Sequence, residues 1–369
     1  MPALLSQTSK INRLATVILF CIGLIFSEDL YAEPWMAIQS GAKCIVCHVN
    51  PTGGGKRNDF GHIYGLNTLT ENNVTDFKNI AKLSDYISLG GDLRVNAVST
   101  QIPNQDDKFA FESEELLVYI QADLIPGKFT FYLDERLGPG GALNRELYGF
   151  YWLNDNTVYI KAGRMFLPFG FRIEDDSAFI RQVTGINYNT PDDGIEFGLE
   201  LTNVTMNLAI TNGTAGGSET NRGKQFSLRT SYVNQRWRLG FSYNLNDVAD
   251  DDRTMTGVFA GLRTGMISWL AEVDDITDDG ATGGQLKQRV SLIEANAMIT
   301  KGHNVKVTYE YFDPSRAVSE DERTRASLVW EWFPLQFTQV SIGVRDSSGI
   351  PQNDLQNTTE WFVQLHNYF

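Results

Sequence analysis

The feature that most constrains this chain is an alternation of apolar and polar side chains that recurs from Tyr86 to the C-terminus. Successive side chains of a β-strand point to opposite faces, so this pattern predicts strands with one polar, water-facing side and one apolar side. The apolar positions are rich in aromatic residues, which favours contact with lipid over burial in a soluble sandwich. Clear examples are Leu116, Val118, Ile120, Ala122 and Leu124; Trp237, Leu239, Phe241, Tyr243 and Leu245; and Ala326, Leu328, Trp330 and Trp332.

Sixteen segments carry this pattern, and their connections alternate in length. The predicted strands cover residues 86–99, 109–125, 128–136, 144–153, 156–164, 194–201, 204–212, 224–233, 236–246, 253–263, 266–276, 286–300, 304–312, 323–333, 337–346 and 358–369. Short connections such as Pro126-Gly127 and Lys301-Gly302 separate long polar ones such as residues 213–223 and 313–322. Short turns at one end, long loops at the other and an even strand count are typical of outer-membrane barrels. The predicted fold class is therefore all-β, a transmembrane antiparallel β-barrel of about 16 strands.

Two further features support a barrel. In the last strand, Trp361, Val363 and Leu365 occupy alternate positions and the chain stops on Phe, which resembles the C-terminal recognition strand of bacterial outer-membrane proteins. The long connection at residues 165–193 falls where sixteen-stranded porins fold a loop inward, and residues 163–170 resemble phosphate-selective-type porins. We therefore expect this loop to narrow the lumen.

The lumen-facing positions of the predicted strands are modestly basic. A mild preference for anions would follow if the lumen is open. Alternatively, these cations pair with carboxylates across the wall, which is the interpretation that we favour. The basic positions are Arg94, Arg229, Arg236, Arg238, Lys306 and Arg325, against Asp92, Asp123 and Glu310.

The N-terminus has the features of a secretory signal peptide. Lys10 and Arg13 precede an apolar stretch at residues 14–26, and Ala32 is a small residue suited to the cleavage site. The stretch is shorter than the about 20 apolar residues that a membrane-spanning helix needs, and no other apolar run approaches that length. We expect residues 1–32 to be removed on export.

The exported chain keeps two cysteines, which form the C-x-x-C-H motif of a c-type haem site. Cys44 and Cys47 lie one helical turn apart, so both can form thioether bonds to one porphyrin, and His48 follows as the proximal iron ligand. A thioredoxin-like C-x-x-C would need a βαβ context, and zinc would need two further ligands. We predict one covalent haem c (heme c) on a small cytochrome c-like segment, residues 33–84, before the barrel at residues 85–369.

The sequence leaves the sixth iron ligand open. His62 is the first choice, because it lies in the same small segment. His366 is the alternative, because the alternation of the last strand points it into the lumen, and an open position is the third option. Met36 is so close in sequence to Cys44 that it is a poor geometric choice, although His–Met ligation would raise the potential relative to bis-His.

A glycine-rich stretch follows the haem motif. Gly53, Gly54 and Gly55 would let the backbone pass close to a flat ring or to another chain. Lys56 or Arg57 could pair with a haem propionate. A flexible surface loop would have the same composition, so the sequence leaves both interpretations open.

Together, the export signal, the single C-x-x-C-H and the porin-like barrel resemble the fused monohaem cytochrome–porins of iron-oxidising bacteria. Residues 37–44 are similar to the lead into the haem site of that family, whereas residues 51–55 depart from the pattern of the iron oxidases. The resemblance implies that Cys44 and Cys47 anchor the haem and that His48 is the proximal ligand. It also implies electron transfer, with extracellular Fe(II) oxidation as one such activity, and as partners outer-membrane lipid, a periplasmic electron carrier and an extracellular donor or acceptor.

Three functions are compatible with these features. We rank electron transfer through a barrel-borne haem first, and a diffusion porin whose haem segment is a plug or docking element second. A haem peroxidase, which needs an open sixth position, ranks third. No carboxylate pair, Ser-His-Asp order or phosphate loop indicates a hydrolase, and a net charge of −14 argues against nucleic acid as a partner.

Overall fold

The structure is a computed structural model. It describes residues 33–74, 81–154, 156–247, 252–280 and 284–369. The predicted signal peptide, residues 1–32, lies outside the described residues. Among the residues that are described, no helix is both long and apolar enough to cross a bilayer.

Sixteen antiparallel strands of the described residues form a closed barrel, in which each strand pairs with its sequence neighbours and the first pairs with the last. All sixteen predicted strands are confirmed, each with boundaries within three residues of the prediction. The strands are β1 (Ile87–Gln101), β2 (Lys108–Ile125), β3 (Phe129–Gly138), β4 (Leu143–Leu153), β5 (Val158–Met165), β6 (Asp192–Glu200), β7 (Val204–Thr211), β8 (Gln225–Val233), β9 (Trp237–Asn246), β10 (Arg253–Thr264), β11 (Ile267–Asp279), β12 (Gln285–Thr300), β13 (His303–Asp313), β14 (Arg323–Leu335), β15 (Thr338–Ser348) and β16 (Thr358–Tyr368).

The two ends of the barrel differ in their connections, as the sequence predicts. The connection between β10 and β11 is only residues 265–266, and that between β12 and β13 only residues 301–302. We call this the short-turn end. The opposite, long-loop end carries the connections at residues 212–224 and 314–322.

The predicted alternation corresponds to the outer and inner faces of the wall. Trp237, Leu239 and Phe241 are exposed on the outer face, whereas Arg238 between them is buried in the lumen. An apolar surface of this extent on a closed barrel is the kind that faces lipid. On the outer face near the short-turn end, the rings of Trp330 and Trp332 are stacked with an interplanar angle of 7°.

The N-terminal segment, residues 33–74, packs inside the short-turn end of the barrel. It contains α1 (Pro34–Ser40), a 3-10 helix (Cys44–Val46), α2 (Asp59–Tyr64) and a π-helical turn (Gly65–Leu69). Trp35, Met36 and Ile38 of α1 join one buried cluster with wall residues such as Phe259, Leu270 and Phe333. The sequence leaves open whether this segment lies in the lumen or beneath it; in the structure, α1 packs against inward-facing side chains of the wall.

The connection between β5 and β6, residues 166–191, folds into the lumen as predicted. It carries α3 (Phe179–Thr184), and Phe169 and Phe171 belong to the same buried cluster as Met36. Backbone groups of the loop bond to the wall: the Phe171 N–H donates to Glu272 at 2.6 Å. The last short helix, a 3-10 turn at Asp354–Gln356, lies at the long-loop end.

Three of the six cations that the sequence places in the lumen pair with carboxylates, as the pairing interpretation predicts: Arg94, Lys306 and Arg325. Arg229 and Arg238 instead donate to the backbone carbonyls of Gly170 and Ala37. Lys306 Nζ lies 2.8 Å from Glu331 Oε1, and Arg325 Nε donates to Glu310 Oε1 at 2.6 Å. Arg236 is an exception to the prediction, because it precedes β9 in a short turn and is exposed. The predicted strand, residues 236–246, begins one residue before β9.

Candidate functional site

The C-x-x-C-H motif follows α1 after a tight reversal. Gly41 caps α1 in the left-handed region, with φ of 65°, and a Cβ there would lie 2.6 Å from Gln235 Cα in the turn between β8 and β9. The chain then enters the 3-10 turn, in which the His48 N–H donates to the Cys44 carbonyl at 3.0 Å. The motif is therefore folded back beside α1, which brings residues on both sides of Gly41 to the same cavity.

The turn presents both thiols and the imidazole within one helical turn, as the sequence predicts. Cys44 is half-buried, whereas Cys47 is only 1% exposed, and the two are not joined in a disulfide. Burial, reinforced by Cys44 and opposed by Arg57, raises the pKa of the Cys47 thiol to about 12. The thiol therefore remains protonated at neutral pH.

Asn58 ties the motif to α2. Its side-chain amide donates to the carbonyls of Ile45 at 3.0 Å and Val46 at 3.1 Å, and its Oδ1 accepts the N–H of Gly61 as the N-cap of α2. A Cβ on Gly61 would lie 2.2 Å from the Cys47 carbonyl oxygen, so only glycine permits this approach. The sequence analysis did not predict these contacts; their only local signal is Asn58, a residue type common at helix N-caps.

The glycine-rich stretch is a tight turn packed against the barrel wall and the inward loop. Gly54 and Gly55 have φ of 76° and 62°, in the left-handed region. The Gly53 carbonyl accepts from Arg172 of the inward loop at 2.5 Å, and the Lys56 N–H donates to the Tyr132 hydroxyl at 2.8 Å. Of the two interpretations left open, close backbone approach is therefore supported over a flexible surface loop.

His48 and the glycine turn line a cavity, which we call the short-turn cavity. The other residues that line this cavity include residues of α1, α2, the inward loop and β16. Its lining includes Met36, His48, Gly54, Gly55, Arg57, Tyr64, Arg172, His366 and Tyr368.

Lys56 and Arg57, the two candidate propionate partners, differ in position. The Lys56 ammonium donates to Gln121 at 3.2 Å and to the Arg57 carbonyl at 3.1 Å, and burial lowers the pKa of Lys56 to about 8. Arg57 lines the short-turn cavity, with its guanidinium 4.3 Å from the Tyr368 ring centroid. Of these two residues, Arg57 lines the cavity and Lys56 does not. Arg172 of the inward loop also lines it, and the sequence did not predict its approach to Gly53.

The candidate sixth ligands also occupy different positions. His62 is buried, but it is not among the residues that line the short-turn cavity. Its Nε2 has no hydrogen-bond partner among the described residues, and burial, with Arg57 and Lys56 nearby, lowers its pKa to about 4. The imidazole is therefore neutral at neutral pH.

His366 lines the cavity but is held by the wall. Its Nε2 lies 2.6 Å from Asp92 Oδ1 and its Nδ1 lies 2.9 Å from Gln339 Oε1. Met36, a poor choice by its closeness in sequence to Cys44, lines the cavity as well. The reversal at Gly41 is what brings Met36 to the same space as His48.

A second cavity, the long-loop cavity, adjoins the first. The two share Glu33, Pro34, Glu174 and Gln339 in their linings. Burial, with Glu331 and Glu174 nearby, raises the pKa of Glu33 well above its usual range. The enclosed space of the lumen therefore continues from His48 toward the long-loop end.

No known protein family matches the sequence, and no curated protein is similar to it. Solved structures of the same fold are found. A loop-deletion mutant of OmpT from Vibrio cholerae has a TM-score of 0.60 at 12% identity, covering 77% of this chain and 99% of that chain. An anion-selective porin from Comamonas acidovorans gives 0.59 at 13% identity, covering 77% and 99%. OmpF of Salmonella typhi in complex with daunomycin gives 0.59 at 11% identity, covering 77% and 97%. At such identities the likeness shows the fold: this chain forms a porin-type barrel.

Proposed function

We propose that this chain is a bacterial outer-membrane barrel that carries one covalent haem c on its N-terminal segment and transfers electrons between extracellular and periplasmic partners. The observation that carries the proposal is the C-x-x-C-H motif folded so that His48 lines a cavity in the barrel lumen. Fe(II) oxidation at the cell surface is one activity that such a protein could serve.

The residues around the motif fit a haem. Cys44 and Cys47 supply two thiols one turn apart, and His48 supplies an imidazole at the cavity. Met36, Leu69 and Phe333 give the same cavity an apolar lining, while Arg57 and Arg172 place two guanidinium groups there, suited to propionates. When bound, the haem would supply a one-electron Fe(II)/Fe(III) couple.

The orientation of the barrel would decide which side of the membrane the haem is nearer. In outer-membrane barrels the short turns face the periplasm and the long loops face outward. Residues 33–74 pack in the short-turn end, so a haem on Cys44 and Cys47 would be nearer to a periplasmic electron carrier. The long-loop cavity would approach it from the extracellular side, and the apolar outer face would meet membrane lipid.

The test is covalent haem on the purified, folded full-length protein. We expect a reduced-minus-oxidised difference spectrum with a c-type α-band, and a haem stain that survives denaturing electrophoresis. The double variant Cys44→Ser, Cys47→Ser should fold as a barrel but lose the stain. Val46→Ala keeps both thiols and their spacing, so it should stain as the wild type does. A folded wild-type barrel that stays colourless after expression with haem c maturation proteins would refute the proposal.

A second candidate is a diffusion porin for small solutes in which the N-terminal segment is a plug or docking element. The comparisons bear on this candidate more directly, since the similar solved barrels include porins, one of them anion-selective. The inward loop and charged lumen favour it as well. The packing of α1 and the inward loop against each other and the wall argues against wide passage of solutes through the lumen.

Single-channel conductance in planar bilayers separates the two candidates. A diffusion porin whose N-terminal segment is a docking element should give steady conductance as the full chain, with little change when residues 33–84 are removed. If the full chain conducts poorly and the truncated barrel conducts well, the segment closes the lumen, which counts against steady diffusion through the full chain. The barrel without residues 33–84 must first show the heat-dependent gel mobility of a folded barrel.

A further inference from the structure

We infer that Met36 is the sixth ligand of the haem iron, an inference that rests on the covalent haem proposed above. The geometry that points to it is the fold-back of α1 onto the haem motif. Met36 and His48 are separated by the reversal at Gly41, and both line the short-turn cavity. A thioether and an imidazole that line one cavity are the ligand pair of a His–Met cytochrome.

The position of Met36 is supported by hydrogen bonds between α1 and the barrel. The Gln39 side chain accepts from Ser268 at 2.9 Å and donates to the Gly265 carbonyl at 3.3 Å. Arg238 donates to the carbonyls of Ala37 at 3.2 Å and of Ala42, which follows α1, at 2.5 Å. These bonds hold the middle and the C-terminal side of α1 against β9 to β11, and Met36 is 3% exposed.

The other candidate ligands are less suited to the position. Both nitrogens of His366 contact Gln339 or Asp92, so iron binding would break a buried bond to a carboxylate. His62 does not line the cavity. The phenols of Tyr64 and Tyr368 line it, but each would have to lose a proton in a buried site before binding iron as a phenolate. A thioether binds without losing a proton.

Methionine ligation would have a functional consequence. A Met–His haem has a higher potential than a bis-His haem, because the thioether is a weaker donor to Fe(III). The assignment therefore places this protein among haem carriers that accept electrons from comparatively weak reductants. With His62 as the ligand, the potential would be lower.

The experiment uses the full-length holoprotein in detergent, with the ferric absorption spectrum and the midpoint potential as readouts. We expect the wild type to show the red sulfur-to-iron charge-transfer band of methionine ligation. Met36→Leu, a volume-conserving change, should lose this band while keeping the covalent haem. Met36→His should restore a low-spin spectrum at a lower potential.

Two variants are matched controls. Met255→Leu alters a buried methionine of the same apolar cluster that does not line the cavity, and it should keep the band and the potential. His62→Gln should also keep both. Heat-dependent gel mobility checks that each variant folds.

The outcomes separate the two proposals. A c-type haem whose wild-type spectrum lacks the sulfur band, or a band that persists in Met36→Leu, overturns the assignment of Met36 and leaves the haem proposal standing. A low-spin spectrum that becomes high-spin in His62→Gln and not in Met36→Leu overturns it in favour of His62. A folded wild-type barrel without any c-type haem overturns both proposals.

Discussion

At the scale of single residues, Glu146 of β4 joins three parts of the molecule. Its carboxylate is fully buried and accepts from the Asn50 side chain at 2.8 Å and from the Phe166 N–H at 3.1 Å. Asn50 lies in the N-terminal segment and Phe166 begins the inward loop. Lys161 Nζ, 3.4 Å from Asn50 Oδ1, adds a cation to the same network. One wall residue therefore holds both the segment and the loop.

Replacing Glu146 by alanine should loosen both elements without unfolding the barrel. The Asn50 amide and the Phe166 N–H would each lose a buried partner, at about 1–3 kcal/mol per group. We expect the Phe166 N–H to exchange with solvent about 5- to 150-fold faster, which hydrogen exchange with mass spectrometry measures on peptides spanning it.

The matched control for Glu146 is Glu112→Ala, which removes an exposed carboxylate from β2. That variant should exchange like the wild type. Equal protection of Phe166 in the wild type and Glu146→Ala would show that the carboxylate does not anchor the loop.

At the scale of elements, the glycine turn depends on two separate constraints. Gly54 and Gly55 occupy the left-handed region, where an L-residue is strained. In addition, a Cβ on Gly55 would lie 2.4 Å from the Tyr132 hydroxyl, and one on Gly54 would lie 2.9 Å from Arg172 Cδ. The turn is therefore shaped both by its own backbone and by the wall and loop against which it packs.

Gly55→Ala should displace the turn from the wall. The left-handed conformation costs an alanine about 1–2 kcal/mol, and the clash with Tyr132 adds to it. Gly127→Ala is the control, because Gly127 has a similar φ of 71° and nothing within 4 Å of the added Cβ.

Limited proteolysis of the folded barrels, followed by mass spectrometry of the fragments, measures the difference. Cleavage within residues 33–74 should be faster in Gly55→Ala than in Gly127→Ala. Equal rates would mean that Gly55→Ala does not displace the turn from the wall.

At the scale of the whole molecule, the outer face of the barrel determines the solvent in which the chain can be stable. Leu328 is 51% exposed near the middle of β14, and Val307 beside it on β13 is 50% exposed. In water such a surface would drive association, whereas in a bilayer it is solvated by lipid tails.

Leu328→Arg should therefore destabilise the barrel in lipid by about 2–4 kcal/mol, the cost of arginine near the bilayer midplane. Reversible unfolding by denaturant in lipid vesicles measures this change. Leu328→Met keeps an apolar side chain of similar size, so it should change stability by less than about 1.5 kcal/mol. Equal stability of the Arg and Met variants would place β14 outside the hydrocarbon region.

The sequence by itself determined the barrel. Alternation of apolar and polar residues with a period of two predicts the outer and inner faces of the barrel wall. The turn residues between the segments are local signals as well, so the strand boundaries could be predicted from local patterns. The C-x-x-C-H motif is a local pattern for the same reason, since Cys44, Cys47 and His48 lie within five residues, and the haem that it predicts remains a proposal. Arg236 marks the limit of this approach, because a polar residue beside a strand looks the same in a turn.

The tertiary structure decided what fills the lumen. Met36 and Arg172 come to one cavity through the reversal at Gly41 and the inward course of the β5–β6 loop, so their approach depends on packing between distant parts of the chain. The ion pairs of the lumen and the bonds of Glu146 arise in the same way. A one-dimensional pattern specifies which face a side chain takes, but only closure of the barrel fixes what it meets across the interior.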